Sequence, residues 1–592
     1  MRVFTPEQQQ AIEHGTGPAL VSAGPGAGKT AVLTERIKRL LGFGDARILA
    51  ITFTNAAADE LLNRVSDAPD AQKRLRAGTF HSVFYEVLRN FGLYRDYTVL
   101  DEEPRLALFT ACLPAYLQKD RERCLELLNR FDAIRNKSGV NSAFFDEEGT
   151  DFTAEMRRFQ ELKRKEHVLD FDDMEFELSA HLASHPEARA AMSRLYDYIL
   201  VDEFQDINPV QYALLSYFLD ERRNLFVVGD EDQSIYGFRG SDPSFLLRFR
   251  TDFPSAAFYK LYVNFRSNRE IVDASVRFIA TNRNRFSKEL VSHIGDGGTV
   301  GIYEAPTRRR EMLTVRDFLV GCHRKGLSYG EMAVLFRQRS QVDSLAKALA
   351  DAGIPVRQTV TEIRRHQNAV LRYITSFLTF SCEHRAEEAF RFIAEASGLA
   401  DCYIREVLET KGALADALAN LPEVDAETRN TADEILYHAD RLRELLREDL
   451  IADAVSYVYF RAGGREFAAE LADREFIDRA SLTSYLQEVF RIAGSTRTLG
   501  DFIARSGEAG EGVYLGTIHG AKGLEFSAVC CMGVAKGILP HRKSLSPDEI
   551  EEERRLLYVG MTRAKTYLLV SGYTVSAPHR SPFMEELLTE CE

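Results

Sequence analysis

The stretch "PALVSAGPGAGKTAVLTERIKRLL" (18–41) limits the fold of this chain more than any other. An apolar run of strand character ends at Ala23, glycines stand at 24, 26 and 28, and Leu33, Ile37, Leu40 and Leu41 then recur at helical spacing. A strand, a glycine-rich turn and a helix in that order aim successive backbone N–H groups at phosphate oxygens. Ala23, Gly24, Pro25, Gly26, Ala27 and Gly28 form the expected cradle, with Ala23 in place of the first glycine of GxxxxGK[ST]. Lys29 is expected to reach the β- and γ-phosphates, and the Thr30 hydroxyl to ligate Mg²⁺. Such a unit predicts an α/β domain with a parallel sheet.

A phosphate cradle of this kind needs a second, acidic strand end, and "YILVDEFQDI" (198–207) supplies one. Asp202 is expected to hold Mg²⁺ through its water shell, and Glu203 to polarise an attacking water. A glycosidase-like acid pair finds no support, because no aromatic sugar platform accompanies it. A merely solvated acidic turn leaves unexplained why the acids follow "YILV". Gln205 and Asp206 fit a link to the neighbouring "GDEDQ" turn at 229–233.

Length and charge narrow the rest. The 592 residues, 45% of them hydrophobic, exceed what one core of roughly 250–300 residues holds, so several domains are expected. No apolar run approaches the ~20 residues of a membrane helix, and "MRVFTPEQQQ" lacks the layout of a signal peptide, so a soluble, cytoplasmic protein without a membrane partner is expected. Cysteines at 112, 124, 322, 382, 402, 530, 531 and 591 show no metal-ligand spacing and read as reduced, buried thiols. A net charge of −14 argues against a generally basic surface, so any nucleic-acid contact must be local.

Further motifs make the pattern specific. "FTPEQQQAI" (4–12), "ITFTNAAADEL" (51–61), "GTFHSVFYEVLR" (78–89), "LDFDDM" (169–174), "VGDEDQSIYGFRG" (228–240), "VNFRSN" (263–268), "AVLFRQRSQVDSLAKALADAGIPV" (333–356), "GTIHGAKGLEFSAV" (516–529) and "EEERRLLYVGMTRAK" (551–565) accompany the two stretches above. In this content and order the chain resembles the UvrD/Rep/PcrA family of superfamily 1 DNA helicases. The resemblance implies that Gln8 selects adenine, Phe265 stacks on the base, Gln233 senses the γ-phosphate, Glu525 contacts the ribose, and Arg266 and Arg563 act as arginine fingers. It also implies a path for single-stranded DNA over Phe53, Tyr236 and Phe238, with Thr52, Thr79, His81 and His519 at phosphates or sugars. Ala31 stands where the family has an arginine against the adenine, and Phe265 and Phe238 replace Tyr and Trp. Looser nucleotide selectivity is therefore expected.

The expected architecture is α/β: two RecA-like parallel-sheet motor domains, each interrupted by a mainly helical insert. The first motor covers 1–100 and 179–265 with an insert at 101–178; the second covers 266–365 and 509–592 with an insert at 366–508. Strands are expected in "EMAVLFR", "GVYLGTIH", "AVCCMGV" and "TYLLVSG", with Cys530 and Cys531 in the core. The second insert lacks a recognisable "TPTRGIG"-like duplex-contact segment. The implied activity is ATP-driven 3′-to-5′ translocation on single-stranded DNA and unwinding at single-strand/duplex junctions. Two other readings are a motor subunit working with a separate nuclease or repair protein, as in a nuclease–helicase or antiphage defence complex, and a DNA-stimulated ATPase switch that does not unwind.

Overall fold

A computed structural model describes the chain except for residues 1–3, 43–44, 67, 69, 101, 139–143, 146–148, 339–340, 359–361, 384–385, 411, 423, 475–478, 497, 508–511, 575–579 and 590–592. Cys591 thus lies outside the described residues. Two compact units emerge: Met1–Cys322 with Leu335–Arg339 and Thr517–Glu592, and His323–Val334 with Ser340–Gly516. No helix of the described residues is long and apolar enough to cross a membrane.

The first unit opens with β1 (Ala19–Ala23), β2 (Ile48–Thr52) and β3 (Leu75–Thr79). A short pair, β4 (Thr98–Val99) with β5 (Val168–Leu169), precedes β6 (Tyr198–Val201), β7 (Leu225–Gly229) and β8 (Ala257–Leu261). Six of these form a parallel sheet in the order β3-β2-β6-β7-β1-β8, with Ser22 opposite Gly229 and Ile51 opposite Val201. β1, β2 and β7 are buried throughout and built from Leu, Val, Ile and Ala, as a sheet covered on both faces requires. Alternation divides them between two cores: Leu20, Ile51 and Val227 pack with Phe84 and Phe218, while Val21, Ala50 and Val228 pack with Leu33 and Ile37. Because β1 lies beside β7 and β7 beside β6, the glycine turn and both acidic turns open side by side at the carboxyl ends of their strands.

Between β4 and β5 the chain runs through helices Glu102–Cys112, Arg121–Ser138 and Thr153–Lys165, which share a core of Phe109, Phe131, Phe144 and Phe159. Charges are buried beside that core. Lys163 donates to Asp170 at 2.6 Å and Asp173 at 2.7 Å, and Arg105 and Arg135 pair with the same acids. Asp170 also caps the helix Phe171–Ser184, accepting from the Asp173 N–H.

The later strands are β9 (Val263–Asn264), β10 (Val291–Ser292), β11 (Thr299–Ala305), β12 (Met332–Phe336), β13 (Val356–Gln358), β14 (Val513–Thr517), β15 (Phe526–Met532) and β16 (Ala564–Tyr573). In the first unit β16 runs parallel between β11 and β15; in the second, β13 and β14 pair in parallel. The four expected strand segments are strands, and Cys530 and Cys531 are buried in β15. Cys382 and Cys402 correct the expectation of buried thiols, because they lie on exposed helix positions. Between Glu362 and Gly507 the described residues of the second unit form a series of helices around a core that includes Phe377, Phe390, Ile435 and Val458.

Candidate functional site

Gly26 and Gly28 adopt left-handed φ values of 67° and 81°, which bend the chain from β1 into the helix Lys29–Leu41. A Cβ on Gly26 would lie 2.7 Å from the Arg266 Cβ, and one on Gly24 would lie 2.3 Å from Leu290. The turn is held from outside: Asn264 Nδ2 donates to Pro25 O at 2.8 Å, and the Phe265 N–H to Gly26 O at 3.0 Å. Ala23 and Ala27 are buried, and Lys29 and Thr30 sit half-buried in the first turn of the helix, where the macrodipole favours anions.

Asp202 and Glu203 stand next to this turn. Asp202 Oδ1 accepts the Glu203 N–H at 3.0 Å; burial, and then the charge of Glu203, push its carboxyl up to about 7 against the pull of Lys29. Burial alone would raise Glu203 too. Lys29, Lys522 and the amide of Gln205 outweigh it, so Glu203 is held below its usual range. Glu203 takes up a left-handed φ of 51°. Gln205 spans the two acidic turns: Nε2 donates to Glu203, and Oε1 accepts the Asp230 N–H at 2.9 Å.

Two arginines converge on the same place. Arg563 is 2% exposed and donates only to neutral oxygens: Val559 O at 2.9 Å, Thr562 Oγ1 at 3.1 Å, and Leu524 O and Gln233 Oε1 at 3.3 Å. Among the described residues no carboxylate pairs with it, and burial followed by repulsion from Arg266 lowers it to about 9. Arg266 donates to Glu525 at 2.9 Å and to Thr562 O at 3.2 Å. Glu525 is shared with Lys565 at 2.7 Å. Gln233 Nε2 is anchored on Asp230 at 2.5 Å.

A cavity of about 450 Å³ is lined by residues that include Thr5, Gln8, Ala27, Tyr262 and Phe265. The orientation of the Gln8 amide is fixed, since Oε1 accepts the Thr5 N–H and Nε2 donates to Ala27 O, both at 3.0 Å. One acceptor lone pair and one N–H remain for a ligand. His293 packs against Phe265 with ring centroids 4.8 Å apart. Ala31 is buried in its helix and is not among the described residues lining this cavity.

A second cavity of about 330 Å³ is lined by Phe53, His81, Phe171, Tyr236 and Arg239 among others. Phe53 and Tyr236 stack with centroids 5.0 Å apart and planes at 19°. Phe238 is 45% exposed and meets His519 edge-on at 5.6 Å. Burial, then Arg337, Arg239 and Lys522, lower His519 to about 3, so it is a neutral imidazole. His81 sits 3.1 Å from Glu175; burial opposes its charge, but Glu175 and neighbouring aspartates raise its pKa. Two hydroxyls expected at phosphates also have local partners. Thr52 is buried and donates to Thr54 O at 3.0 Å, and Thr79 caps the helix Phe80–Asn90.

Several residues at the site escaped the sequence reading. Lys288, fully buried, donates to Asp230 and to Asp232 at 3.1 Å and lies 2.9 Å from a Glu231 carboxylate oxygen, and Arg285 clasps Asp232 at 2.8 and 2.9 Å. Phe171, 46% exposed, contacts His81 at 5.3 Å between centroids. The "LDFDDM" match was the available signal for Phe171, whereas a lone lysine in "NRFSKEL" offers none.

Parallel sheets of RecA-like form, with a glycine turn and two carboxylates at adjoining strand ends, define a P-loop protein of the α/β class. Residues 4–254 match the UvrD/REP helicase N-terminal domain, and residues 259–400 and 465–574 the UvrD-like helicase C-terminal domain. The ATP-dependent DNA helicase UvrD1 of Mycobacterium tuberculosis is 31% identical across 98% of this chain and 83% of its own length. The putative ATP-dependent DNA helicase YjcD of Bacillus subtilis is 30% identical across 98% and 81%. The ATP-dependent DNA helicase PcrA of Staphylococcus epidermidis is 29% identical across 96% and 83%. The chain belongs to the UvrD/Rep/PcrA helicase family.

Proposed function

We propose that this chain is an ATP-dependent DNA helicase that moves 3′ to 5′ along single-stranded DNA and unwinds the duplex ahead of it. The observation that carries the reading is the convergence of Lys29, Arg266 and the carboxylate-free, buried Arg563 opposite Asp202 and Glu203. Three cations round one pocket suit a triphosphate. Guanidinium groups there stabilise charge that develops on the transferred phosphoryl, worth roughly 10³–10⁵ in kcat in other systems.

Glu203, held as a carboxylate by Lys29, Lys522 and Gln205, is placed to accept a proton from the attacking water. Gln233 lies between Asp230 and Arg563, where it orients the γ-phosphate side of the pocket. The free lone pair and N–H of Gln8 match the N6–H and N7 of adenine, whereas guanine would bring O6 against Oε1. Phe265 forms a wall of that cavity. Glu525, held by Arg266 and Lys565, would contact the ribose.

Mg²⁺ fits Thr30 and Asp202: a buried carboxylate with one backbone donor, lifted to about 7, gains from a cation beside it. When bound, the ion would supply charge neutralisation for the triphosphate. On the DNA side, Phe53, Tyr236, Phe238 and Phe171 offer ring faces, His81 offers a ring N–H to the backbone, and neutral His519, whose N–H is held by the Ile235 backbone, offers an edge beside Phe238. We assign residues 1–100 and 179–265 to the first motor and 266–365 and 509–592 to the second, whose alternate closing and opening on ATP would advance the strand. Direction rests on the family resemblance. A duplex with either a 3′ or a 5′ single-stranded tail, incubated with ATP, tests the reading: displacement from the 3′-tailed substrate alone is expected, and ATP hydrolysis without displacement from either overturns it.

A further inference from the structure

One side chain touches both halves of this site. Lys522, in the loop after β14, donates to Asp206 at 2.5 Å and to Gln233 O at 2.9 Å. Its ammonium also lies 5.0 Å from the centroid of Tyr236, over the ring that stacks on Phe53. Asp206 is three residues beyond the Glu203 that faces the phosphate pocket, and Gln233 is the residue that meets Arg563. A single buried cation therefore contacts the strand end bearing the water-side carboxylate, the turn bearing the phosphate-side amide, and the ring proposed to hold a base. The other oxygen of Asp206, Oδ1, is buried without a hydrogen-bond partner, so Lys522 is its counter-ion within this pocket.

We infer that Lys522 is a positioning residue that couples DNA on Tyr236 to ATP turnover at Glu203, an inference that rests on the helicase reading above. A base stacking on Tyr236 changes the ring face that the ammonium covers, and any shift of the ammonium is felt at once by Asp206 and by the Gln233 carbonyl. The competing explanation is that Lys522 only neutralises Asp206. The two differ in what removing both charges together should do.

The experiment uses the full chain, ATP and an oligo-dT single strand, and reads turnover with and without DNA alongside DNA affinity by fluorescence anisotropy. Lys522→Met is expected to lower the ratio of DNA-stimulated to DNA-free turnover about tenfold or more, while the Kd for oligo-dT moves by less than about threefold. Lys522→Arg recovers most of the ratio, and Lys522→Met with Asp206→Asn stays as low as Lys522→Met alone. Where Lys522→Met does not fold, Asp206→Asn alone, which keeps the ammonium but removes its anchor, lowers the ratio in the same direction. A wild-type ratio in Lys522→Met or in Asp206→Asn, restoration by the double substitution, or a Kd that weakens in proportion to the ratio overturns the coupling. A wild-type chain that no single strand stimulates overturns the helicase reading as well; a stimulated wild type with an equally stimulated Lys522→Met overturns the coupling alone.

Discussion

Two neighbouring turns each crowd three acids at the end of a buried strand, and they solve the problem oppositely. After β7, Asp230, Glu231 and Asp232 surround the ammonium of Lys288, and Arg285 closes on Asp232. Their oxygens are close enough together to suggest a metal cage, but a lysine already fills it. After β6, Asp202 has one backbone donor, and Glu203 one amide. Satisfied carboxylates build a scaffold; carboxylates left facing a pocket are available for chemistry.

That contrast can be broken by four measurements. Glu203→Gln is expected to lower ATP turnover by about 10²–10⁴-fold while leaving the thermal midpoint unmoved. A variant that hydrolyses ATP normally would place the chemistry elsewhere. Lys288→Met should do the reverse in kind: it strands three buried acids, and a loss of ~3–5 kcal/mol in denaturant unfolding without nucleotide is expected. Equal stability would mean the cage is not structural. Tyr236→Ala removes a stacking face and should weaken single-strand binding by ~1–3 kcal/mol, read by anisotropy.

The smallest effect concerns pH. Asp202 keeps its proton up to about 7 in the folded chain, whereas the unfolded chain releases it near the ordinary aspartate value of 3.8. The folded state then binds more protons between those values, so this group's contribution makes stability fall as pH rises across the window. Asp202→Asn should flatten that slope by less than about one proton, because Glu203 shares the titration. An unchanged slope, read from denaturant unfolding at a series of pH values, would remove Asp202 as its source.

Much of this was legible in the sequence because it is local. The strand, glycine turn and helix at 18–41 form as read, and the acids at 202 and 203 do end a buried strand. What was hidden depends on distance along the chain. Lys288 reaches back to Asp230, and Lys522 to Asp206, without any periodic pattern to announce either. Glu175 reads as one more charge on a helix, yet it is buried and accepts from Asn208 at 2.8 Å and Gln211 at 2.5 Å. Thr52 and Thr79 show the complementary case: a short hydroxyl near a strand end also serves its own backbone, which a motif match does not announce.

Phe238 carries an optical consequence. It stands exposed beside Tyr236 in a chain that contains no tryptophan. Phe238→Trp would therefore create a lone indole emitter at the turn proposed to meet DNA, separable from the 23 tyrosines by its longer-wavelength excitation. Each base that slides onto that ring would quench it, turning the passage of a strand into a flicker that a stopped-flow fluorimeter can count.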